Sequence, residues 1–340
     1  MKEPRVVRDL ATPAVVIDLD ALDRNLTTMA DVLPGDRLRP HVKATKCTAL
    51  ARRHVAVGHR HFTCATPKEI VGMVRAGVGT DLLLANESLD VDRLRAIAAL
   101  GDSATITVAI DSPETLDAAH SAGIRNVLID VNVGLPRCGV AVDEAGRLAD
   151  DARAKGLVVR GVMGYEGHLM MVGDRVEKQA KVADAMEKLV RASRDVGGDI
   201  ISAGGTGTFD MHEATGVTEV QAGSYSLMDS HYSTLGLPFE QAVFVLGTVI
   251  SASKDWAVID VGLKSLGMDH GNPHIDNASV WFVSDEHTTF AMTSGDLPRV
   301  GDAVRVTPAH VDPTMAMHEV AWAVSGDTIV DRWGIDLRGW

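Results

Sequence analysis

Short apolar runs recur at a fairly steady interval along the first two thirds of the chain, and segments with helical spacing lie between them. Each run has the length and the aliphatic composition of a buried strand. Eight alternations of strand and helix are what a (β/α)8 TIM-type barrel requires. An open doubly wound sheet is the alternative, but it seldom contains eight parallel strands in one run. The predicted strands cover residues 37–43, 61–66, 81–86, 105–110, 126–131, 158–165, 199–204 and 219–224.

The segments between these strands carry the usual helix signals. Ser112 and Pro113 predict a helix start, because proline fits the first turn of a helix. Gly77 and Gly123 fall where helices are expected to end. A long helix is predicted between strands six and seven, with one apolar stripe facing the core. The stripe consists of Val176, Ala180, Ala183, Met186 and Val190.

After residue 236 the apolar runs become short, rich in β-forming residues and separated by turn residues. This pattern predicts a C-terminal antiparallel β domain, and the early run 14–19 is expected to join its sheet. We therefore predict a barrel at residues 20–236 and a β domain formed by residues 1–19 and 237–340. The predicted strands of the second part cover residues 242–251, 256–261, 279–283, 288–292, 303–307, 319–324 and 328–331.

The bulk composition indicates a globular protein and excludes several classes of partner. Of the 340 residues, 46% are hydrophobic but 4% are aromatic, so the core must be mainly aliphatic. The net charge of −13, without a basic stretch, argues against a nucleic-acid partner, because phosphate backbones need clustered Lys and Arg. No apolar signal core follows the N-terminus, and no apolar run has the length that a membrane requires. Cys47, Cys64 and Cys138 form no Cys-x-x-Cys pair, which indicates reduced thiols and a cytoplasmic protein.

Lys43 lies where the first predicted strand gives way to a helix. A lysine amine at such a strand end can form a Schiff base with a carbonyl cofactor. For a lone lysine, a solvated charge at a strand terminus is the more common situation. The cofactor hypothesis therefore depends on the residues found at the other strand ends.

A glycine-rich segment, residues 202–208, follows the seventh predicted strand. Glycines there let backbone N–H groups approach a phosphate, and threonine hydroxyls can add donors. The segment is neither a Walker loop nor a dinucleotide fingerprint, and a plain tight turn is the alternative. Its place favours phosphate, because barrels often bind phosphate after strands seven and eight. The end of strand eight, residues 222–225, is a natural second wall of that site.

Two further strand ends carry side chains that suit a ligand. Arg137, after strand five, is flanked by backbone-permissive residues, which suits a guanidinium held against an anion; an ordinary surface arginine is the alternative. His168, after strand six, can act as a general base or a proton relay; a packed, hydrogen-bonded histidine is the alternative.

The C-terminal third is rich in histidine and acidic residues. In an extended backbone, residues two apart face the same way, so His310 and Asp312 are expected to reach one ion. Pro313 supports this geometry, because it disfavours the helical conformation for the residue before it. One imidazole with carboxylate or water oxygens suits Mn²⁺ first, with Mg²⁺ or Zn²⁺ as alternatives. For so short a motif, solvated loop charges are the competing interpretation.

Together these segments resemble the alanine-racemase-like (fold-type III) pyridoxal phosphate enzymes, and within them the D-threonine aldolase and D-serine dehydratase branch. The resemblance covers nearly the whole chain, and its motifs occur in the same order. It is carried by residues 11–13, 18–20, 39–43, 133–139, 165–168, 204–208, 260–264, 284–287 and 310–314.

The resemblance implies a role for each matching residue. Lys43 would hold pyridoxal phosphate through a Schiff base, and Arg137 would contact the phenolic oxygen of the cofactor. His168 would lie near the substrate as a candidate base. His310 and Asp312 would bind the divalent metal. The other cofactor-binding residues that the resemblance implies are Tyr165, Gly205, Thr206, Ser224 and Tyr225.

The implied activity is that of a metal-dependent D-3-hydroxy amino acid aldolase of the D-threonine aldolase type, which releases glycine and an aldehyde. Asp312 favours the aldolase, because the dehydratase branch usually has cysteine at this place. A dehydratase acting on D-serine, D-threonine or 3-hydroxy-D-aspartate, and a 3-hydroxy-D-aspartate aldolase, remain alternatives on the same site. A racemase would not need the metal pair. A catalytically silent cofactor carrier would not need the lysine, the phosphate site and the metal pair together. The resemblance also implies a homodimer.

Overall fold

The computed structural model describes residues 4–340, which fall into two compact units. The first, here called the barrel unit, consists of Met29–Lys43, Leu50–Gly223 and Gly339–Trp340. The second, here called the sheet unit, consists of the described part of Met1–Thr28 with Ala44–Ala49 and Ser224–Arg338. The predicted domain boundaries stay a prediction, and residues 1–3 of the predicted β domain lie outside the described residues.

The chain first alternates strands with helices and then continues mainly as strands. In the described residues the strands are β1 Ala14–Asp18, β2 His61–Cys64, β3 Asp81–Leu84, β4 Thr105–Ile110, β5 Asn126–Asp130, β6 Val158–Gly164, β7 Ile200–Ala203, β8 Glu219–Val220, β9 Val243–Ala252, β10 Ala257–Ile259, β11 Ala278–Val283, β12 Thr288–Met292, β13 Ala303–Val306, β14 Val320–Ser325 and β15 Thr328–Gly334. The helices are α1 Leu19–Val32, α2 Thr48–Ala56, α3 Pro67–Arg75, α4 Val91–Ala98, α5 Pro113–Ala122, α6 Ala145–Ala154, α7 Arg175–Val196, α8 Ser230–Ser233 and α9 Val311–Met317. Within residues 4–340, no helix has the length and apolarity needed to cross a bilayer.

Strands β2 to β8 form one parallel sheet in the barrel unit, in the order of the chain. Helices α3 to α7 connect β2 through β7 one after another. Side chains of neighbouring strands, among them Leu83, Ala109, Leu128 and Met163, form an aliphatic core cluster. The predicted strands from 61–66 onward each have a counterpart, so the barrel-type architecture is confirmed.

Residues 37–43, predicted as the first barrel strand, do not form a strand of their own. Leu38 makes an isolated parallel bridge to Val220 of β8, and His41 makes one to Thr63 of β2. The segment therefore joins the two edges of the parallel sheet and takes the remaining position of the ring.

A local cause explains why the predicted strand is reduced to two bridges. Pro40 has no N–H to donate to a ladder, although its carbonyl accepts the Thr63 N–H at 3.0 Å. The chain then turns in the short 3-10 helix Val42–Ala44. Lys43 consequently lies on a turn at the end of this segment rather than inside a strand.

A buried network of charges lies near the amino ends of the barrel strands. Arg39 is 1% exposed, and its guanidinium donates to Glu219 Oε1 at 2.8 Å and to Asp81 Oδ1 at 2.9 Å. Arg160 donates to Asp81 Oδ2 at 2.6 Å and to the Thr107 hydroxyl at 2.6 Å. Burial raises the pKa of Asp81, but the two guanidinium groups outweigh it, so this pKa lies below its ordinary value. The network ties the segment before Lys43 to four strands of the sheet, β3, β4, β6 and β8.

Helix α7 buries a different stripe from the one predicted. Of the predicted positions, Met186 is fully buried and Val190 is half-buried, whereas the exposed ones are Val176, Ala180 and Ala183. The buried positions are Lys178, Val182, Ala185, Met186, Leu189, Ala192 and Val196.

A buried lysine explains the rotation of this stripe. Lys178 is 4% exposed, and its Nζ donates to the carbonyls of Met170 at 2.9 Å and Gly207 at 3.2 Å. Burial lowers the pKa of Lys178. Apolar periodicity cannot identify a stripe that includes a lysine with buried carbonyl partners.

The sheet unit contains one sheet, in the order β11-β12-β10-β9-β1-β14-β15, with β13 paired to β9. Its neighbouring strands run antiparallel except β1 and β14, which are parallel. The predicted antiparallel β domain is thereby confirmed, and the early run joins its sheet as β1. Val16, Phe244, Leu246 and Val324 belong to its apolar core.

Candidate active site

Lys43 lies at the rim where the carboxyl ends of the parallel strands β2 to β8 meet. It follows the segment between β8 and β2, is half-buried, and its N–H donates to His41 Nδ1 at 3.4 Å. Gly223, after β8, lies against the same segment, since a Cβ there would be 2.5 Å from the His41 carbonyl oxygen. Only glycine allows the chain after β8 to approach the segment that ends in Lys43.

The glycine-rich loop 204–208 after β7 is held by the buried side chain of Glu166. Glu166 Oε2 accepts the Gly204 N–H at 3.1 Å, and Glu166 Oε1 accepts the Thr208 hydroxyl at 2.7 Å. The Gly205 N–H donates to Thr208 Oγ1 at 3.3 Å. The loop is therefore a fixed structure and more than the plain tight turn considered from the sequence.

Close neighbours leave no room for side chains at two glycines of this loop. A Cβ at Gly204 would be 2.8 Å from His212 Nε2, and Gly204 has a φ of +80°. A Cβ at Gly205 would be 3.0 Å from Met170 Sδ. Thr206, between Gly205 and Gly207, is 2% exposed. A glycine-rich backbone loop at a barrel rim fits the phosphate group of pyridoxal phosphate.

Arg137 and Tyr165 lie together at the same rim. The guanidinium carbon of Arg137 is 5.4 Å from the centroid of the Tyr165 ring. Tyr165 also lies next to the glycine-rich loop, since a Cβ at Gly205 would be 3.4 Å from its Cε2 atom. Three of the predicted cofactor-binding residues are thus neighbours, and a cation beside an aromatic ring suits a flat anionic ligand.

His168 is exposed and lies against the loop that carries Arg137. A Cβ at Gly134, which has a φ of +137°, would be 3.0 Å from His168 Cε1 and 3.1 Å from its Nε2. Because Gly134 has no side chain, the imidazole of His168 can lie against it. The ring is exposed rather than packed in the core, and its proton-transfer role stays a prediction.

A group of acidic side chains surrounds the base of the Arg137 loop. Burial, and then the neighbouring Glu87, raise the pKa of Asp130 well above its ordinary value. Burial, and then Glu87, also raise the pKa of Cys138 to about 11, so this thiol keeps its proton at neutral pH. The Cys138 thiol beside Arg137 therefore does not neutralise the guanidinium.

In the sheet unit, His310 and Asp312 come together, but the predicted extended backbone is wrong. His310 Nε2 lies 3.8 Å from Asp312 Oδ1. His310 is extended, with φ −141° and ψ 118°, whereas Asp312 lies in the first turn of α9. Pro313 is tolerated there, because a helix has no internal partner for its first N–H groups. Two ligand atoms at this separation fit one divalent ion with bonds of about 2.0–2.2 Å.

Further groups surround His310 on the side away from Asp312. Its Nδ1 lies 2.8 Å from Asp269 Oδ2. The His270 ring stacks on the His310 ring, with centroids 3.9 Å apart and planes inclined by 15°. His231 lies next in line, 4.4 Å from His270 between ring centroids. Burial lowers the pKa of His270, and the adjacent His310 lowers it further.

Ser224 and Tyr225, predicted to surround the phosphate, belong to the sheet unit. The Ser224 hydroxyl donates to Asp312 Oδ1 at 3.4 Å, so a predicted phosphate ligand contacts a predicted metal ligand. Tyr225 is fully buried, and its ring lies 5.3 Å from that of Phe239. Burial raises the pKa of Tyr225 well above its ordinary value. Their phosphate-binding roles stay predictions.

Three residues that hold the candidate site in place could not be assigned a role from the sequence. Glu166 lies within a motif of the resemblance, but its burial could not be read from one chain. Asp269 carries no local signal, since its contact with His310 crosses 41 positions of the sequence. Asp229 caps the N-terminus of α8 and also accepts the Val311 N–H at 3.0 Å, so it fixes the start of α9. An N-cap signal before α8 could have identified it.

Comparison with known proteins assigns the chain to a family. Residues 17–231 match the family described as "Alanine racemase, N-terminal domain", and residues 242–324 match "Putative serine dehydratase domain". The chain is 34% identical to a D-threonine aldolase of Arthrobacter sp, covering 96% of this chain and 93% of that protein. It is 29% identical to a 3-hydroxy-D-aspartate aldolase of Paracoccus denitrificans (strain Pd 1222), covering 97% and 93%. The crystal structure of D-threonine aldolase from Filomicrobium marinum superposes with a TM-score of 0.93 at 35% identity, covering 100% of this chain and 99% of that chain.

These matches span both units of the structure. The chain therefore belongs to the alanine-racemase-like (fold-type III) pyridoxal phosphate enzymes, and it combines an alanine racemase N-terminal domain with a serine dehydratase domain. The resemblance inferred from the sequence motifs is confirmed.

Proposed function

We propose that this protein is a metal-dependent, pyridoxal phosphate-dependent aldolase that cleaves D-threonine and related D-3-hydroxy amino acids to glycine and an aldehyde. The observation that carries the proposal is the full-length similarity to D-threonine aldolases, at 34% and 35% identity. The chemistry of the candidate residues supports it, because the chain supplies a lysine, a glycine-rich loop and a histidine–aspartate pair. A 3-hydroxy-D-aspartate aldolase is the nearest alternative of the same reaction class.

In this proposal the barrel unit binds pyridoxal phosphate, which supplies a conjugated ring that accepts the electron pair left at the substrate Cα. Lys43 provides the amine for covalent attachment. Arg137 would hold the phenolic oxygen of the cofactor, and Tyr165, beside Arg137, would help to hold its ring. Thr206 provides donors to the phosphate, whereas Gly205 provides close approach, because its N–H is directed at Thr208.

The sheet unit supplies the metal ligands, His310 through Nε2 and Asp312 through Oδ1. A divalent ion at this pair supplies positive charge that lowers the pKa of the substrate β-hydroxyl. One imidazole and one carboxylate, with water completing the shell, suit Mn²⁺ first, with Mg²⁺ or Zn²⁺ as alternatives. Ser224 helps to orient Asp312 through its 3.4 Å hydrogen bond.

His168 is proposed as the group that handles the hydroxyl proton, directly or through a water molecule. The reaction removes that proton from the β-oxygen and breaks the bond between Cα and Cβ. The β-carbon leaves as an aldehyde, and the electron pair stays on Cα. A proton delivered to Cα completes glycine, so the atoms of the amino acid are divided between two products without a redox change.

Product analysis with D-threonine tests the proposal. The purified protein is incubated with D-threonine, pyridoxal phosphate and Mn²⁺, and the products are identified by chromatography and mass spectrometry. We expect equal amounts of glycine and acetaldehyde. Formation of 2-oxobutanoate and ammonia instead would sink the aldolase in favour of a dehydratase.

Two variants control this assay. Lys43→Ala removes the attachment amine, so we expect loss of the visible absorbance of the bound cofactor together with loss of product. Asp312→Asn keeps the shape of a metal ligand without its charge, so we expect the visible absorbance to remain while cleavage falls by at least tenfold. L-threonine serves as the substrate control.

A dehydratase is the second candidate, because residues 242–324 match the serine dehydratase domain family. The same residues would serve it if a base removed the Cα proton and the metal helped the hydroxyl to leave. Asp312 argues against this outcome, since it offers the ion an oxygen ligand in place of the cysteine sulfur that is usual in the dehydratase branch.

We further propose that the protein acts as a cytoplasmic homodimer on a small-molecule substrate, without nucleic-acid or membrane partners. The resemblance to the family supports the dimer. The net charge of −13 supports the absence of a nucleic-acid partner.

A further inference from the structure

We infer that Glu166 is a positioning residue for the phosphate group of the cofactor, because its buried carboxylate fixes the shape of the loop 204–208. The inference rests on the proposed function to the extent that it takes this loop as the phosphate site. It adds a residue that contacts neither the substrate nor the reacting atoms.

Three donors converge on the Glu166 carboxylate, which is fully buried. These donors are the Gly204 N–H at 3.1 Å, the Thr208 hydroxyl at 2.7 Å and the imidazole Nε2 of His212 at 3.3 Å. His212 is 1% exposed and lies entirely among protein atoms. A carboxylate is an acceptor on both oxygens, so it can satisfy all three donors at once.

One nitrogen of the His212 ring has no hydrogen-bond partner among the described residues, whereas the other faces Glu166. His212 Nδ1 is buried and has no hydrogen-bond partner among the described residues. Nε2 is therefore the ring nitrogen that pairs with the carboxylate, 3.3 Å from Glu166 Oε1. Burial raises the pKa of Glu166, but the hydrogen bonds from His212 and Thr208 outweigh it, so this pKa lies below its ordinary value. Glu166 therefore keeps its negative charge at neutral pH.

A negative charge near an anion site has an electrostatic cost, so its presence calls for a structural reason. The carboxylate joins the first and last residues of the loop, Gly204 and Thr208, through one side chain. Lys178 holds the loop from its carbonyl side through Gly207 at 3.2 Å. Together Glu166 and Lys178 fix the loop before any ligand arrives, which removes the cost of ordering it on binding.

The isosteric variant Glu166→Gln tests this role, because it keeps the volume and replaces one acceptor oxygen by an NH2 donor. That donor would face the Gly204 N–H or the Thr208 hydroxyl, so one hydrogen bond must be lost. The dissociation constants of pyridoxal phosphate and of pyridoxal are measured by titrating the visible absorbance of the protein-bound cofactor. We expect pyridoxal phosphate to bind at least about tenfold more weakly in the variant. Binding of pyridoxal, which lacks the phosphate, is expected to change little.

Glu69→Gln provides the matched control. Glu69 is also fully buried in the barrel unit, and its Oε2 accepts the N–H groups of Ala65 at 2.6 Å and Thr66 at 3.3 Å. It caps the start of α3, which follows β2, whereas the glycine-rich loop follows β7. A general loss of stability would affect both variants, whereas the ratio of pyridoxal phosphate to pyridoxal affinity is expected to change only for Glu166→Gln.

A second pair of variants covers the case in which Glu166→Gln does not fold. Thr208→Val removes the hydroxyl that bonds to Glu166, and Thr208→Ser restores it. We expect the affinity ratio to fall for the valine variant and to recover for serine. If the ratio of pyridoxal phosphate to pyridoxal affinity were unchanged in Glu166→Gln or in Thr208→Val, Glu166 would have no positioning role. The proposed function would stand in that case, because the wild type would still prefer pyridoxal phosphate. A wild type that binds neither compound would instead overturn the proposed function.

Discussion

The imidazole of His310 has a different acidic neighbour on each nitrogen. Nε2 faces Asp312 at 3.8 Å, and Nδ1 contacts Asp269 at 2.8 Å. A carboxylate on the distal nitrogen fixes the tautomer of a metal-binding histidine, and its loss typically reduces metal affinity by about 10–100-fold. Asp269 is therefore expected to orient His310 for the proposed metal.

The variant Asp269→Ala tests this expectation at the residue scale. We expect its Mn²⁺ affinity, measured from the electron paramagnetic resonance of free Mn²⁺, to fall by about tenfold or more. Asp276→Ala is the control, because Asp276 makes a similar exposed contact with His274 at 3.1 Å. Equal Mn²⁺ affinities in the two variants would show that Asp269 has no orienting role.

Part of the candidate site could be predicted from the sequence, residue by residue. Lys43, Arg137 and His168 were identified because reactive residue types follow predicted strands. Glu166 and His212 were not, because their importance comes from complete burial and from contacts that cross 38 to 46 positions of the chain. A single sequence contains no direct record of such contacts.

At the scale of elements, apolar runs located most strands correctly, because a buried parallel strand must be apolar on both faces. The errors have local causes. The first barrel strand is interrupted by Pro40, and the metal-site segment can be helical because the first turn of a helix tolerates Pro313. The stripe of α7 is displaced because Lys178 finds carbonyl partners in the core.

Helix α2 provides a pH-dependent prediction at this scale. It buries His54 against Phe62 of β2, with ring centroids 6.2 Å apart. Burial lowers the pKa of His54 from 6.5 to about 3. The unfolded chain therefore binds more protons between these two values, and the free energy of unfolding falls as the pH falls through this window.

We expect this histidine to account for about 2 kcal/mol of the stability lost between pH 7 and pH 5. The free energy of unfolding is measured with urea at pH 7 and pH 5 for wild type and His54→Gln. The contribution of His54 is the difference between the two proteins in the free energy lost over this interval. A loss of stability that is the same at both pH values cancels in this difference. His120→Gln, which changes an exposed histidine of α5, is the control. Equal pH slopes in wild type and His54→Gln would be inconsistent with a buried neutral histidine.

At the scale of the whole molecule, the proposed function draws on residues of both units of the chain. The barrel unit carries the proposed attachment lysine and the phosphate loop, and the sheet unit carries the proposed metal pair. Either set alone is compatible with several reactions of the family. We expect the protein to break the bond between Cα and Cβ and to leave the Cα hydrogen in place.

D-threonine that carries deuterium at Cα tests whether the Cα hydrogen is retained. The protein is supplied with pyridoxal phosphate and Mn²⁺ in ordinary water, and the products are examined by mass spectrometry and NMR. We expect acetaldehyde and glycine that retains one deuterium per molecule. Loss of the deuterium from Cα, accompanied by 2-oxobutanoate and ammonia, would contradict it.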